Sequence, residues 1–145
     1  KNEKKNKAPT FIVNAVKDPD GANLDRIQVI KGWRDRNGKL HEKIYDVAWA
    51  GGRSVNKKGR LPPVGSTVDV ESATYVNSIG DHSLSTTWTD PDFDREEAAF
   101  YYMRVLQIPT PRWQIYETSF NGVKERPNPT SIQERAYSSP IWYTP

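Results

Sequence analysis

The tetrapeptide Asp35-Arg36-Asn37-Gly38 lies between two segments rich in branched and aromatic residues, 25–34 and 39–50. Asn-Gly between such runs is a strong signal for a β-hairpin, because both residues tolerate the left-handed backbone of a tight turn. A two-residue turn sets Val29 opposite Asp46. A three-residue loop with Gly38 in a left-handed bulge sets Val29 opposite Tyr45 and Ile27 opposite Val47. The second register collects Ile27, Val29, Trp33, Tyr45, Val47 and Trp49 on one face. It leaves Arg26, Gln28, Glu42 and Asp46 on the other, with Ile30 and Ile44 as apolar exceptions. This is the expected register, although it sets Lys31 opposite Lys43, a like-charge pair that costs up to about 1 kcal/mol.

The rest of the chain repeats the pattern of short strand-like runs between Pro and Gly. Val, Ile, Thr, Tyr, Phe and Trp total 46 of the 145 residues, whereas Ala, Leu and Met total 15. That balance excludes an all-helical fold, since branched and aromatic side chains suit a pleated, half-buried surface. Strands are expected at residues 10–16, 67–76, around Leu84, Thr86 and Trp88, at 98–108 and at 114–120. Asp18-Pro19-Asp20-Gly21 closes the first as a turn. The 98–108 run is apolar on both alternating sets, as a central strand should be, and the Pro-rich tail with Tyr137, Trp142 and Tyr143 is expected to pack back. The expected fold is an all-β, antiparallel, immunoglobulin-like β-sandwich of about seven strands. Leu, Ile, Val and Phe make up only 29 residues, so the Trp and Tyr rings must supply much of the core.

The net charge of +3 is accounted for by Lys1, Lys4, Lys5 and Lys7 against Glu3, which leaves the remainder neutral. Residues 1–8 therefore read as a disordered basic tail or linker, and 9–145 as a single domain. A second basic group, Arg53, Lys57, Lys58 and Arg60, falls in a Gly-rich loop without interleaved aromatics, so no nucleic-acid partner is expected. No apolar run reaches the roughly 18 residues of a membrane helix, so no direct membrane insertion is expected.

Catalytic and metal constellations were sought among the polar residues. The absence of Cys excludes disulfides and thiolate sites. Asp90, Asp92 and Asp94 have the spacing that opens a calcium loop, but Arg95 and Tyr101 stand where such a loop needs Gly and Glu, and Asp-Pro-Asp is ordinary turn chemistry. His41 and His82 lack spaced partners. Asp81, His82 and Ser83 are adjacent, which prevents a triad layout. No phosphate-loop or dinucleotide glycine pattern is present. Catalytic, metal-binding and cofactor-binding residues are thus expected to be none.

Several longer segments carry a resemblance: residues 18–33, Tyr45-Asp46-Val47-Ala48-Trp49, Leu61-Pro62-Pro63-Val64-Gly65, Phe100-Tyr101-Tyr102, Ile108-Pro109-Thr110-Pro111-Arg112-Trp113 and Gln133-Glu134-Arg135-Ala136-Tyr137-Ser138-Ser139-Pro140-Ile141-Trp142-Tyr143. Over residues 9–145 the chain resembles the C-terminal part of the bacterial domain-of-unknown-function family 3604. Family members are several times longer, are often exported or lipid-anchored, and carry upstream His- and Asp-containing motifs similar to those of metal-dependent phosphoesterases. None of those motifs occurs here. The resemblance implies a non-catalytic C-terminal β module whose partner is an upstream, metal-dependent hydrolase-like domain of the same polypeptide, in an extracytoplasmic (periplasmic or cell-envelope) setting.

The last third of the sequence mixes Arg with aromatics in the manner of interface cores. Arg104, Arg112, Trp113 and Arg135 are the candidate interdomain or ligand contacts. The alternative is a carbohydrate- or ligand-binding β-sandwich, which coplanar aromatics on one open face would favour.

Overall fold

A computed structural model describes residues 7–123, 125–126 and 128–145. The basic tail expected at 1–8 lies mostly outside the described residues. Ordered pairing starts with β1 (Thr10–Val16), followed by β2 (Leu24–Arg34), β3 (Leu40–Trp49), β4 (Ser83–Thr89), β5 (Ala99–Gln107), β6 (Thr110–Pro111), helix α1 (Trp113–Asn121), β7 (Ser131–Ile132), β8 (Arg135–Tyr137) and β9 (Ile141–Tyr143). The strands form an antiparallel β-sandwich with unequal layers. One layer is a five-stranded sheet in the order β3-β2-β5, with β8 and β9 both paired to the far edge of β5. The other is the two-stranded sheet β1-β4, and β6 pairs β7 separately.

The hairpin forms with the three-residue loop. Gly38 has φ +84°, and Asp35 and Lys39 close the loop through Asp35 N–H donating to Lys39 C=O at 2.9 Å. Val29 faces Tyr45 and Lys31 faces Lys43 as expected. Ile27, however, faces Ala48 rather than Val47, because a bulge between Ile27 and Gln28 shifts the pairing by one residue. Both Val47 and Ala48 then pack against the core. That core joins Val13 and Leu84 of the small sheet to Ile27, Val29, Tyr101 and Val105 of the large one, with Phe11, Trp33 and Trp88 around it.

Two expected strands are corrected. Residues 67–76 form a turn rather than a strand: Asp69 and Thr74 exchange backbone hydrogen bonds at 2.9 and 3.0 Å, and the Asp69 carboxylate accepts from the Glu71 N–H at 2.9 Å. A side chain that satisfies its own backbone in this way competes with the ladder. Residues 114–120 belong to α1, which ends at Gly122 in the left-handed conformation, with the Gly122 and Val123 N–H groups donating back to Ser119 and Thr118.

Candidate functional site

The inner face of β2 carries a lysine between Val29 and Trp33. Lys31 is buried, and its ammonium donates to Asp90 Oδ2 at 2.6 Å and to the Asp92 carbonyl at 2.7 Å. The Tyr101 hydroxyl, on the paired position of β5, donates to the same Asp90 oxygen at 2.8 Å, and the Asp92 N–H donates to Asp90 Oδ1 at 2.9 Å. Nearer the surface, Lys43 and the Tyr45 hydroxyl both reach Asp92 Oδ2. The like-charge pair that the register creates is therefore offset by the Asp90-Pro91-Asp92 turn, one carboxylate to each lysine. Lys43, followed by the Tyr45 hydroxyl, holds the Asp92 carboxyl below the ordinary carboxylate range. The buried carboxylate Asp90 and the ammonium it faces are both hydrogen-bonded, which makes this network a clasp fixing the turn to the sheet.

Burial, and then the hydrogen bond to Asp90, push the Tyr101 phenol well above its ordinary value; burial and Asp92 do the same to Tyr45. When the pH rises past the ordinary phenol value of 10.0, the unfolded chain releases protons that the folded chain retains. This contribution to stability is complete below about pH 10 and is lost above it. The expected result is a melting temperature that falls steeply above pH 10, with a shallower fall in Tyr101→Phe, measured by scanning calorimetry across pH.

A second clasp surrounds Asp25, which is also buried. Its Oδ1 accepts from Arg53 Nη2 at 2.6 Å, and its Oδ2 accepts from Arg26 Nε at 3.0 Å and Gln133 Nε2 at 2.9 Å. Arg53 also donates to the Ala50 and Pro62 carbonyls. One member of the basic loop group is thus turned inward to anchor the loop, while Lys57, Lys58 and Arg60 are exposed.

The candidate contact residues fall on two elements. Arg104 and Arg135 lie on the outer face of the five-stranded sheet, at positions that pair with Tyr137 and Leu106. Arg104 Nε donates to Gln28 Oε1 at 2.8 Å, Gln28 donates to Asp46, and Asp46 pairs with Arg26, so a polar chain crosses the face. Beside it run Phe100, Tyr102, Tyr137 and Trp142. The Phe100 ring lies over Gly32, where a Cβ would meet it at 2.3 Å. Phe100 and Tyr102 are nearly parallel at 10°, but Trp142 is tilted 47° to Phe100 and Tyr137 41° to Tyr102. A groove of about 460 Å³ between Leu40 and Trp142 opens onto this face.

Arg112 and Trp113 sit instead at the start of α1. Ile115 is the residue this helix buries, whereas Trp113 (67% exposed), Tyr116 and Phe120 (91% exposed) are open to solvent. Their i, i+3, i+7 spacing forms one apolar stripe along the helix. Among the described residues, no group of three or more His, Asp or Glu is placed to hold a metal ion, and no helix is long and apolar enough to cross a membrane.

The long motifs that carry the resemblance thus include β2, the strand at the centre of the sandwich, and the segments that seal its far edge. The family model described as "Protein of unknown function (DUF3604)" matches residues 1–145. The chain belongs to the DUF3604 family. No curated protein and no solved structure matches it. In this DUF3604 chain, sequence reasoning did not connect Lys31 with Asp90 and Tyr101, and it missed Asp25. The available signal was a lysine at a core-facing strand position, which requires a buried partner.

Proposed function

We propose that this chain is a non-catalytic C-terminal β module of a longer protein, and that it packs against an upstream metal-dependent hydrolase-like domain of the phosphoesterase type. The supporting observation is the stripe of Trp113, Tyr116 and Phe120 on α1, exposed although the helix already buries Ile115 in its own domain. A contiguous apolar patch of this kind marks an interaction surface, and large rings bordered by arginine are typical interface anchors. Arg112 begins the same helix, and Arg104 and Arg135 provide polar contacts on the sheet face. The role assigned to the module is to stabilise the neighbouring domain and to wall one side of its cleft, in a periplasmic or cell-envelope setting. Docking is preferred to glycan binding because Trp142 and Tyr137 tilt by 47° and 41° against the near-parallel Phe100 and Tyr102, which breaks the flat platform that a sugar face needs.

The test is the double substitution Trp113→Glu, Phe120→Glu. Burying each ring contributes about 1.5–3 kcal/mol, so in the longer protein the expected result is a melting temperature lower by several degrees. In the 145-residue chain these exposed positions should leave it nearly unchanged. A longer protein that melts at the same temperature with and without the substitutions would defeat the reading.

A further inference from the structure

The two layers of the sandwich do not match in width. The large sheet continues past β5 to β8 and β9, while the layer facing it stops at β1. Pairing places Met103 opposite Val29 and Val105 opposite Ile27, and continues that inner face to Ala136 on β8 and Ile141 on β9. Beyond β1 the face lies open: Met103 is half-buried, Ala136 is exposed, and Ile141 is 57% exposed. Two adjoining cavities of about 370 and 400 Å³ run along β1 there, sharing Asn14 and Met103. Phe11, Tyr101 and Ile141 line one, and Val105 and Ala136 the other.

Among the described residues, the side wall of this trough is a bare strand edge. Lys17 N–H donates to His82 and Asp90 N–H to Pro9, so with the β1-β4 register the odd-numbered residues of β1 hold β4. In an antiparallel pair the alternate residues direct N–H and C=O to the other side. Ile12, Asn14 and Val16 therefore aim their backbone groups over the trough, and among the described residues β1 pairs with no strand but β4. Unpaired edge amides above an apolar floor are complementary to one more strand.

We infer that an extended segment of the upstream part of the same protein adds to β1 as the third strand of the small sheet. This rests on the docking reading above. The recognising chemistry is a strand of about six residues whose alternate side chains are apolar. The inward set meets Met103, Val105 and Ile141, and the other set lies level with the exposed Ile12 and Val16. A second copy pairing β1 to β1 does not fit. The two-fold axis of an antiparallel pair is perpendicular to the sheet, so both overhanging large sheets would compete for the space under the joint. The floor consists of core-facing positions, which suits a permanent contact within one polypeptide better than a passing one.

Hydrogen exchange at single-residue resolution on the longer wild-type protein tests this without any substitution. The expected result is that the amides of Ile12, Asn14 and Val16 exchange as slowly as those of Phe11, Val13 and Ala15, which β4 holds. Exchange at Ile12, Asn14 and Val16 a hundredfold or more faster than at their neighbours overturns the inferred strand. If the helix substitutions nonetheless lower the melting temperature, the docking reading survives that result; if they do not, both fall.

Discussion

Replacing Lys31 with Met should lower the unfolding free energy by about 3–5 kcal/mol, because removing one partner of a buried pair leaves an uncompensated charge. The side chains of Lys31 and Asp90 are 3% and 0% exposed and meet at 2.6 Å. With the ammonium gone, Asp90 keeps the Tyr101 hydroxyl and one backbone N–H but loses its cation. Lys43→Met on the facing strand is the control. Its pair with Asp92 is about half-exposed on both sides, so solvent screening should hold its effect to about 0–1 kcal/mol. Urea titration of both variants reads the difference. Equal losses would mean that burial of the Lys31 pair carries no particular weight. The double variant Lys31→Met, Asp90→Leu removes the lone charge but leaves the buried Tyr101 hydroxyl without its acceptor, so it should regain only part of the single loss.

Gly80→Ala should be nearly as damaging. Gly80 has φ +79°, and an added Cβ would lie 2.7 Å from Asn23 Cβ, 2.7 Å from Ile108 Cγ2 and 2.9 Å from the Leu24 carbonyl. None of these is the free end of a flexible side chain. The left-handed conformation costs about 1–2 kcal/mol for an L residue, and the overlap in a packed region a further 1–3 kcal/mol or so. The position matters because Asp81, next in the chain, exchanges both backbone hydrogen bonds with Leu24 at the start of β2. Gly51→Ala separates the two causes. Gly51 has φ +74° with nothing within 4 Å of the added Cβ, so it should show the conformational cost alone. Matching melting temperatures for the two variants would remove the steric argument.

The parts of the fold that were legible in the sequence are those where local chemistry and tertiary packing agree. Asn37-Gly38 fixes the hairpin loop, and the doubly apolar run around Tyr101 and Met103 becomes the strand flanked on both sides. The parts that were not legible involve competition. Asp69 satisfies its own turn, which overrides the strand propensity of Val68, Val70 and Val76. In α1, aromatic and branched residues suggested a strand, while the stop signal at Gly122 and the helical spacing of Trp113, Tyr116 and Phe120 pointed the other way. The bulge at Ile27 shifts one side of the hairpin by a residue, and no short-range pattern announces it. Of the four candidate contact residues, Arg104 and Arg135 share the sheet face and Arg112 and Trp113 share the helix. Proximity in sequence could not divide them that way. Lys31 looked like a penalty because its carboxylate lies 59 positions further along the chain, at Asp90.

The most direct test of the docking account is calorimetry of the longer protein with and without residues 9–145. The account predicts that removing the module lowers the melting temperature of the remaining domain by several degrees and weakens the metal-dependent hydrolysis proposed for it. An upstream domain that melts at the same temperature and turns over at the same rate without the module would contradict it.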